Sequence, residues 1–208
     1  QPGQAFGLVG NNGAGKTTLF STLLDLIKPS TGEVLNNDIN VRTSEDWKSF
    51  TSAFLDDSFL IGYLMPEEYF YFVGELRNCS KKQVDDFLTD FEDLFNNEIL
   101  GGKKYIRDLS KGNQKKVGIV AALIGDPKVI VLDEPFANLD PTTQIRLKKI
   151  IKNLSKKEDV TVLVSSHDLQ DVTEVSDRIV LLEKGLIIKD IKKTTKTLKD
   201  LESYFTKE

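Results

Sequence analysis

Apolar residues along this chain fall into short blocks that alternate between two spacings. Residues 5–9 form an apolar run ahead of a Gly-rich stretch, which reads as a buried strand. Between 16 and 27, Leu19, Leu23, Leu24 and Ile27 share one helical stripe, and Pro29 to Gly32 supply a stop and turn. Residues 33–39 and 51–55 read as strands. A helix begins at Pro66, where proline in the first turn and the acids Glu67 and Glu68 suit the positive end of a helix dipole. From Lys81 the series Val84, Phe87, Leu88, Phe91, Leu94, Phe95 steps by three and four, predicting an amphipathic helix; Asp85, Asp86, Asp90, Glu92 and Asp93 form its polar face. Later blocks predict a helix over 111–124, a buried strand over 129–132, a helix over 141–154, a strand over 160–165 and a short helix over 169–175. Residues 178–183 and 186–191 read as a hairpin across Lys184 and Gly185, and the tail from 192 to 208 as holding a last helix striped by Leu198, Leu201, Tyr204 and Phe205. Strands alternating with helices predict an α/β fold with a mainly parallel sheet. The helix-rich stretch 58–104 breaks that rhythm, as a helical subdomain inserted into a core of 1–57 and 105–208 within a single domain.

Composition narrows the function classes. The chain has 208 residues, of which 39 % are apolar, enough to build a core. No apolar run approaches the roughly 20 residues of a membrane-spanning helix; the longest, from Val117 to Gly125, is broken by glycines. A net charge of −4 argues against a nucleic-acid binder. Cys79, the single cysteine, excludes an internal disulfide, fits a reducing compartment and reads as a small core residue. The chain opens without Met and without a basic, apolar leader, which reads as an N-terminal truncation with no secretory signal.

Two stretches carry chemistry. Gly10, Asn11, Asn12, Gly13, Ala14, Gly15, Lys16 and Thr17 fit G-x-x-x-x-G-K-[ST], between a strand and a helix, with Thr18 next in line. Glycines in such a loop let backbone N–H groups turn inward around phosphate oxygens, and the helix N-terminus adds partial positive charge. Lys16 then reaches the β- and γ-phosphates, and Thr17 can ligate Mg²⁺. A purely structural Gly-rich turn is the competing reading; the strand–loop–helix context weighs against it. The apolar strand 129–132 ends in Asp133 and Glu134, where α/β sheets bind ligands. Asp133 there holds Mg²⁺, and Glu134 orients or deprotonates the attacking water. Alone, such an acidic pair reads as a helix cap or loop charge; beside a phosphate loop it reads as catalytic.

With these motifs the chain resembles the nucleotide-binding domain of ATP-binding cassette (ABC) proteins. Leu109, Ser110, Lys111, Gly112 and Asn113 resemble the family's Leu-Ser-Gly-Gly-Gln signature, with Lys111 in place of a glycine and Asn113 in place of the glutamine. Ala137 to Asp140 resemble its D-loop, and His167, the only histidine, follows a strand where the family has its switch histidine. The resemblance implies that Ser110 and Gly112, with Asn113 beside them, contact the γ-phosphate held by a second subunit, and that His167 contacts it in cis. It further implies an ATPase that powers a membrane transporter through a separate permease, as a homodimer or with a similar ATPase subunit. Such a protein is cytoplasmic and peripheral on the inner face of the membrane. The aromatic-rich stretch from Phe59 to Phe72 reads as either the permease contact or buried core.

Two departures stand out. The nine residues before Gly10 are too few to hold the strand bearing the family's adenine-stacking aromatic, which reads as missing. No glutamine occurs between Thr51 and Arg77, so Asp56 falls at the family's magnesium-binding Gln position. Ser110, Lys111 and Gly112, with the pattern over 62–68, resemble the drug- and antibiotic-exporter branch, including bacitracin-resistance ATPases. The departures also motivate an alternative, a low-turnover nucleotide-binding regulatory module.

Overall fold

The computed structural model describes residues 3–205. In chain order its strands are Ala5–Val9 (β1), Leu35–Asn36 (β2), Ile39–Asn40 (β3), Thr51–Phe54 (β4), Val129–Leu132 (β5), Thr161–Ser166 (β6), Arg178–Glu183 (β7) and Leu186–Lys192 (β8). Its helices are Lys16–Leu23 (α1), Pro66–Leu76 (α2), Lys81–Thr89 (α3), Glu92–Phe95 (α4), Lys111–Ala121 (α5), Pro141–Leu154 (α6), Leu169–Val175 (α7) and Thr197–Phe205 (α8). Six strands form one sheet in the order β4-β5-β6-β1-β7-β8, parallel except for β8, which turns back on β7. β1 and β5 are apolar along their length because helices cover both faces of the sheet's centre.

The predicted elements recur, with the helix expected over 111–124 ending at Ala121 and with three further local differences. The strand expected over 33–39 is a two-strand hairpin, β2 and β3, because Asn37 and Asp38 take left-handed φ values of 50° and 63° and turn the chain back. The helix expected from 16 to 27 stops at Leu23, and Asp25 turns left-handed with φ 54°. The amphipathic helix from Lys81 is two helices, since Asp90 and Phe91 donate their N–H groups three residues back rather than four. Its stripe survives the break: Val84, Leu88, Phe91, Leu94 and Phe95 are all buried. The last helix is Thr197–Phe205; residues 206–208 lie outside the described ones. Cys79 is partly buried against the main core.

That main core joins the helices over 66–95 to the sheet through α5, with Phe70, Phe95, Ile106, Ile130, Leu132 and Phe136 fully enclosed. Each such side chain contributes about 1.5–3 kcal/mol on burial. At the C-terminus of α2 a polar tie adds to it. The Arg77 guanidinium donates to the carbonyls of Lys48 (2.8 Å), Ser49 (3.0 Å) and Thr51 (2.5 Å) and to Ser52 Oγ (2.6 Å). Phe50 and Phe54 direct their carbonyls at β5, where they accept the Val129 and Asp133 N–H groups, so the Thr51 carbonyl faces outward from the sheet. Among the described residues no helix is long and apolar enough to cross a membrane.

Candidate nucleotide site

The parallel register puts Gly10, Asp133 and His167 just beyond the C-terminal ends of three neighbouring strands, because Val9 pairs with Ser166 and Leu132 with Val164. After β1 the loop is closed by Ala14 N–H donating to the Asn11 carbonyl (3.0 Å) and is tied to the β7–β8 turn by Gly185 N–H donating to the Ala14 carbonyl (2.9 Å). Gly15 caps α1 with φ 104°, a left-handed conformation that glycine adopts without steric cost. Asn11, Asn12, Gly13, Thr17 and Thr18 are open to solvent, whereas Ala14 and Lys16 are buried.

Lys16 turns back over its own loop. Its Nζ donates to the Gly10 carbonyl (2.7 Å) and lies 3.2 Å from Glu134 Oε1. Thr17 Oγ1 donates to Asp133 Oδ2 at 2.5 Å. His167 Nδ1 lies 2.9 Å from Glu134 Oε2, with its ring half exposed. Glu134 therefore stands between the loop lysine and the histidine, on a left-handed backbone (φ 47°) that costs a non-glycine residue about 1 kcal/mol. Five residues singled out from the sequence, Lys16, Thr17, Asp133, Glu134 and His167, thus converge on one point.

Sequence reasoning missed Ser165. Its hydroxyl donates to Asp133 Oδ1 and accepts the Glu134 N–H (2.9 Å), so one buried side chain orients both acids. The available signal was a hydroxyl residue two positions before His167, at the end of an apolar strand.

Ser110, Gly112 and Asn113 lie elsewhere. They line a cavity of about 550 Å³ together with Asn138 and Asp140, and none of residues 10–17 borders it. Ser110 Oγ caps α5 by accepting the Asn113 N–H (3.2 Å). Asp140 caps α6 through Thr143, whose hydrogen bonds hold its carboxyl below the usual range. Asn113 Nδ2 donates to Glu98 Oε2 (3.0 Å), which likewise holds that carboxyl low. Asp56 follows β4, whose Phe54 pairs with Leu132, and so leaves the sheet on the same edge as Asp133. Its Oδ1 accepts the Ser58 N–H (2.8 Å), the main cause of its lowered pKa. The aromatic stretch divides. Phe70 is fully buried, but Phe59, Tyr63 and Phe72 are 59 %, 73 % and 41 % exposed.

Residues 1–137 match the family model described as ABC transporter. The chain belongs to the ABC transporter family. An uncharacterized ABC transporter ATP-binding protein of Synechocystis is 34 % identical to this ABC domain over 191 residues, covering 90 % of this chain and 53 % of that protein. The energy-coupling factor transporter ATP-binding protein EcfA2 of Staphylococcus epidermidis is 31 % identical, covering 90 % and 68 %. The dimeric ATP-binding cassette MJ0796 bound to ADP and Pi shares the fold, with a TM-score of 0.81 at 22 % identity over 93 % of this chain and 87 % of that one. This ABC domain spans a little over half the length of the first curated relatives it matches.

Proposed function

We propose that this ABC domain binds ATP with magnesium, hydrolyses it and thereby drives a membrane transporter. The observation that carries the reading is Glu134 set between Lys16 and His167 at the mouth of a phosphate loop. Lys16 balances phosphate charge, Glu134 takes the proton of the attacking water, and His167 holds that water and the γ-phosphate in line. Thr17 and Asp133 already bring two hard oxygens together, the donor set magnesium prefers, and would hold the ion against the phosphates. Bound there, magnesium neutralises charge on the β- and γ-oxygens. Asp56 is proposed as a further magnesium-facing carboxylate at the same sheet edge.

Ser110, Gly112 and Asn113 border a cavity that the phosphate loop does not reach, which supports a dimer in which each copy completes the other's site. The exposed Phe59, Tyr63 and Phe72 form the proposed permease contact, on a single domain whose helical part is 58–104. The chain then works peripherally on the inner face of the membrane. Export is the proposed direction, on the signature variant and the 62–68 pattern; named relatives include a methionine import ATP-binding protein of Lactococcus lactis. The convergence of Lys16, Asp133, Glu134 and His167 weighs against a low-turnover regulatory module.

Glu134→Gln tests the reading. It keeps the shape and removes the base, so ATP binding persists while turnover falls at least ~100-fold. Hydrolysis at the parental rate overturns the assignment.

A further inference from the structure

Lys115 sits in the middle of α5, on a buried face of the helix that Ser110 caps. Only 9 % of the residue is exposed. Its Nζ crosses to the end of β5 and donates to the Glu134 backbone carbonyl at 2.8 Å. Three residues on, along the same face, Gly118 lets α5 press against β4, for a Cβ there would stand 2.1 Å from the Phe54 ring. The lysine is therefore delivered to Glu134 by a tightly seated helix.

The Glu134 peptide is held on both sides. Its N–H goes to Ser165, and its carbonyl accepts Lys115 and, at 3.3 Å, Ala137 N–H. A left-handed non-glycine backbone persists only where its surroundings over-determine it. Burial pushes the Lys115 ammonium's pKa down, and the nearby carboxylates of Asp57, Glu134, Asp56 and Asp133 counter that only in part. One Asp57 oxygen is buried without a hydrogen bond, while the other lies 3.6 Å from Lys111 on the same helix.

We propose that Lys115 is a positioning residue for ATP hydrolysis, fixing the Glu134 peptide from the helix that carries Ser110. Because it rests on Glu134 as the base, the link has a consequence for timing. The base is aimed only while α5 is seated on β4, and a shift of α5 releases it. Losing ~1 Å of alignment at a reacting group costs on the order of 100-fold in rate.

The test uses the full chain with Lys115→Met, which keeps the apolar stem, Lys115→Arg, which keeps a charged donor, and Lys115→Gln, which is shorter and uncharged. Steady-state kcat and KM for ATP with magnesium are measured for each. The Met and Gln variants are expected to lose roughly 10- to 100-fold in kcat with KM within about twofold of the parent, and Arg to recover to within about threefold. Parental kcat in the Met variant, or in Gln where Met does not fold, overturns the proposal. So does a loss confined to KM, or an Arg variant as slow as Met. Light scattering of the Lys115→Met/Glu134→Gln double variant is expected to show ATP-dependent dimers like those of Glu134→Gln alone; their absence makes Lys115 a structural residue and also overturns the proposal. Parental turnover in Glu134→Gln sinks the base assignment itself, whereas parental turnover in Lys115→Met beside an inactive Glu134→Gln sinks this inference alone.

Discussion

Ser165 Oγ accepts the Glu134 backbone N–H at 2.9 Å from a fully buried position in the neighbouring strand. The same hydroxyl donates its proton to Asp133, so the magnesium-facing carboxylate and the base are aligned by one side chain. Ser165→Ala leaves a buried N–H and a buried carboxylate oxygen short of a partner, which costs about 1–3 kcal/mol. Chemical denaturation is expected to show that loss, with ATP turnover reduced about tenfold. Parental stability and turnover together would remove Ser165 from the site.

Ser110→Arg places bulk and charge at the mouth of the cavity lined by Gly112, Asn113 and Asn138. ATP affinity of the single chain is expected to hold, since the phosphate loop lies apart from it. Turnover is expected to fall at least ~10-fold, with no ATP-dependent dimer by light scattering at high protein concentration. Dimers as abundant as those of Glu134→Gln would count against the shared-site reading.

Asp56→Asn keeps a side-chain oxygen for the Ser58 N–H and removes the negative charge. As a magnesium-facing carboxylate, Asp56 predicts that this variant needs about tenfold more Mg²⁺ for half-maximal turnover. An unchanged magnesium titration reduces Asp56 to a turn cap.

Glu174 accepts from Lys148 (2.8 Å) and Lys152 (3.0 Å), and Lys148 also pairs with Asp171, tying α6 to α7. These partners, Lys148 foremost, hold the Glu174 carboxyl below its ordinary 4.5. A depressed native value stabilises the fold above pH 4.5, and that stability is lost as pH falls through the native value. For a partly exposed pair the size is roughly 0.5–1 kcal/mol. Glu174→Gln is expected to lower Tm by ~1–4 °C at about pH 7 and to narrow the gap to the parent at about pH 3. An equal difference at both pH values rules the linkage out.

Lys16, Asp133 and Glu134 could be read from sequence because local pattern and chemistry coincide there: a strand and a glycine-bearing turn lead to Lys16, and an apolar strand runs straight into the two acids. His167 depended on the resemblance, since a lone histidine carries no pattern. Ser165 and Lys115 were illegible for different reasons. A serine in a strand reads as filler, and a lysine in a helix that also carries Lys111 and Lys116 reads as solvated; only packing between distant segments gives either a partner. The hairpin over 35–40 did carry a local sign, Asn37 and Asp38, which the apolar spacing of 33–39 outweighed.

Arg77 has a bearing on solubility. A sheet's outermost strand presents unpaired carbonyl and N–H groups to which a stray chain can add. On β4 the outward Thr51 carbonyl is already taken by the guanidinium, which also holds Lys48, Ser49 and Ser52. One outward acceptor of this margin is thereby occupied. At the opposite margin β8 leaves Leu186, Ile187 and Ile188 exposed. Charged replacements at Leu186 or Ile187 are therefore expected to raise the chain's solubility, by removing apolar side chains from the β8 margin.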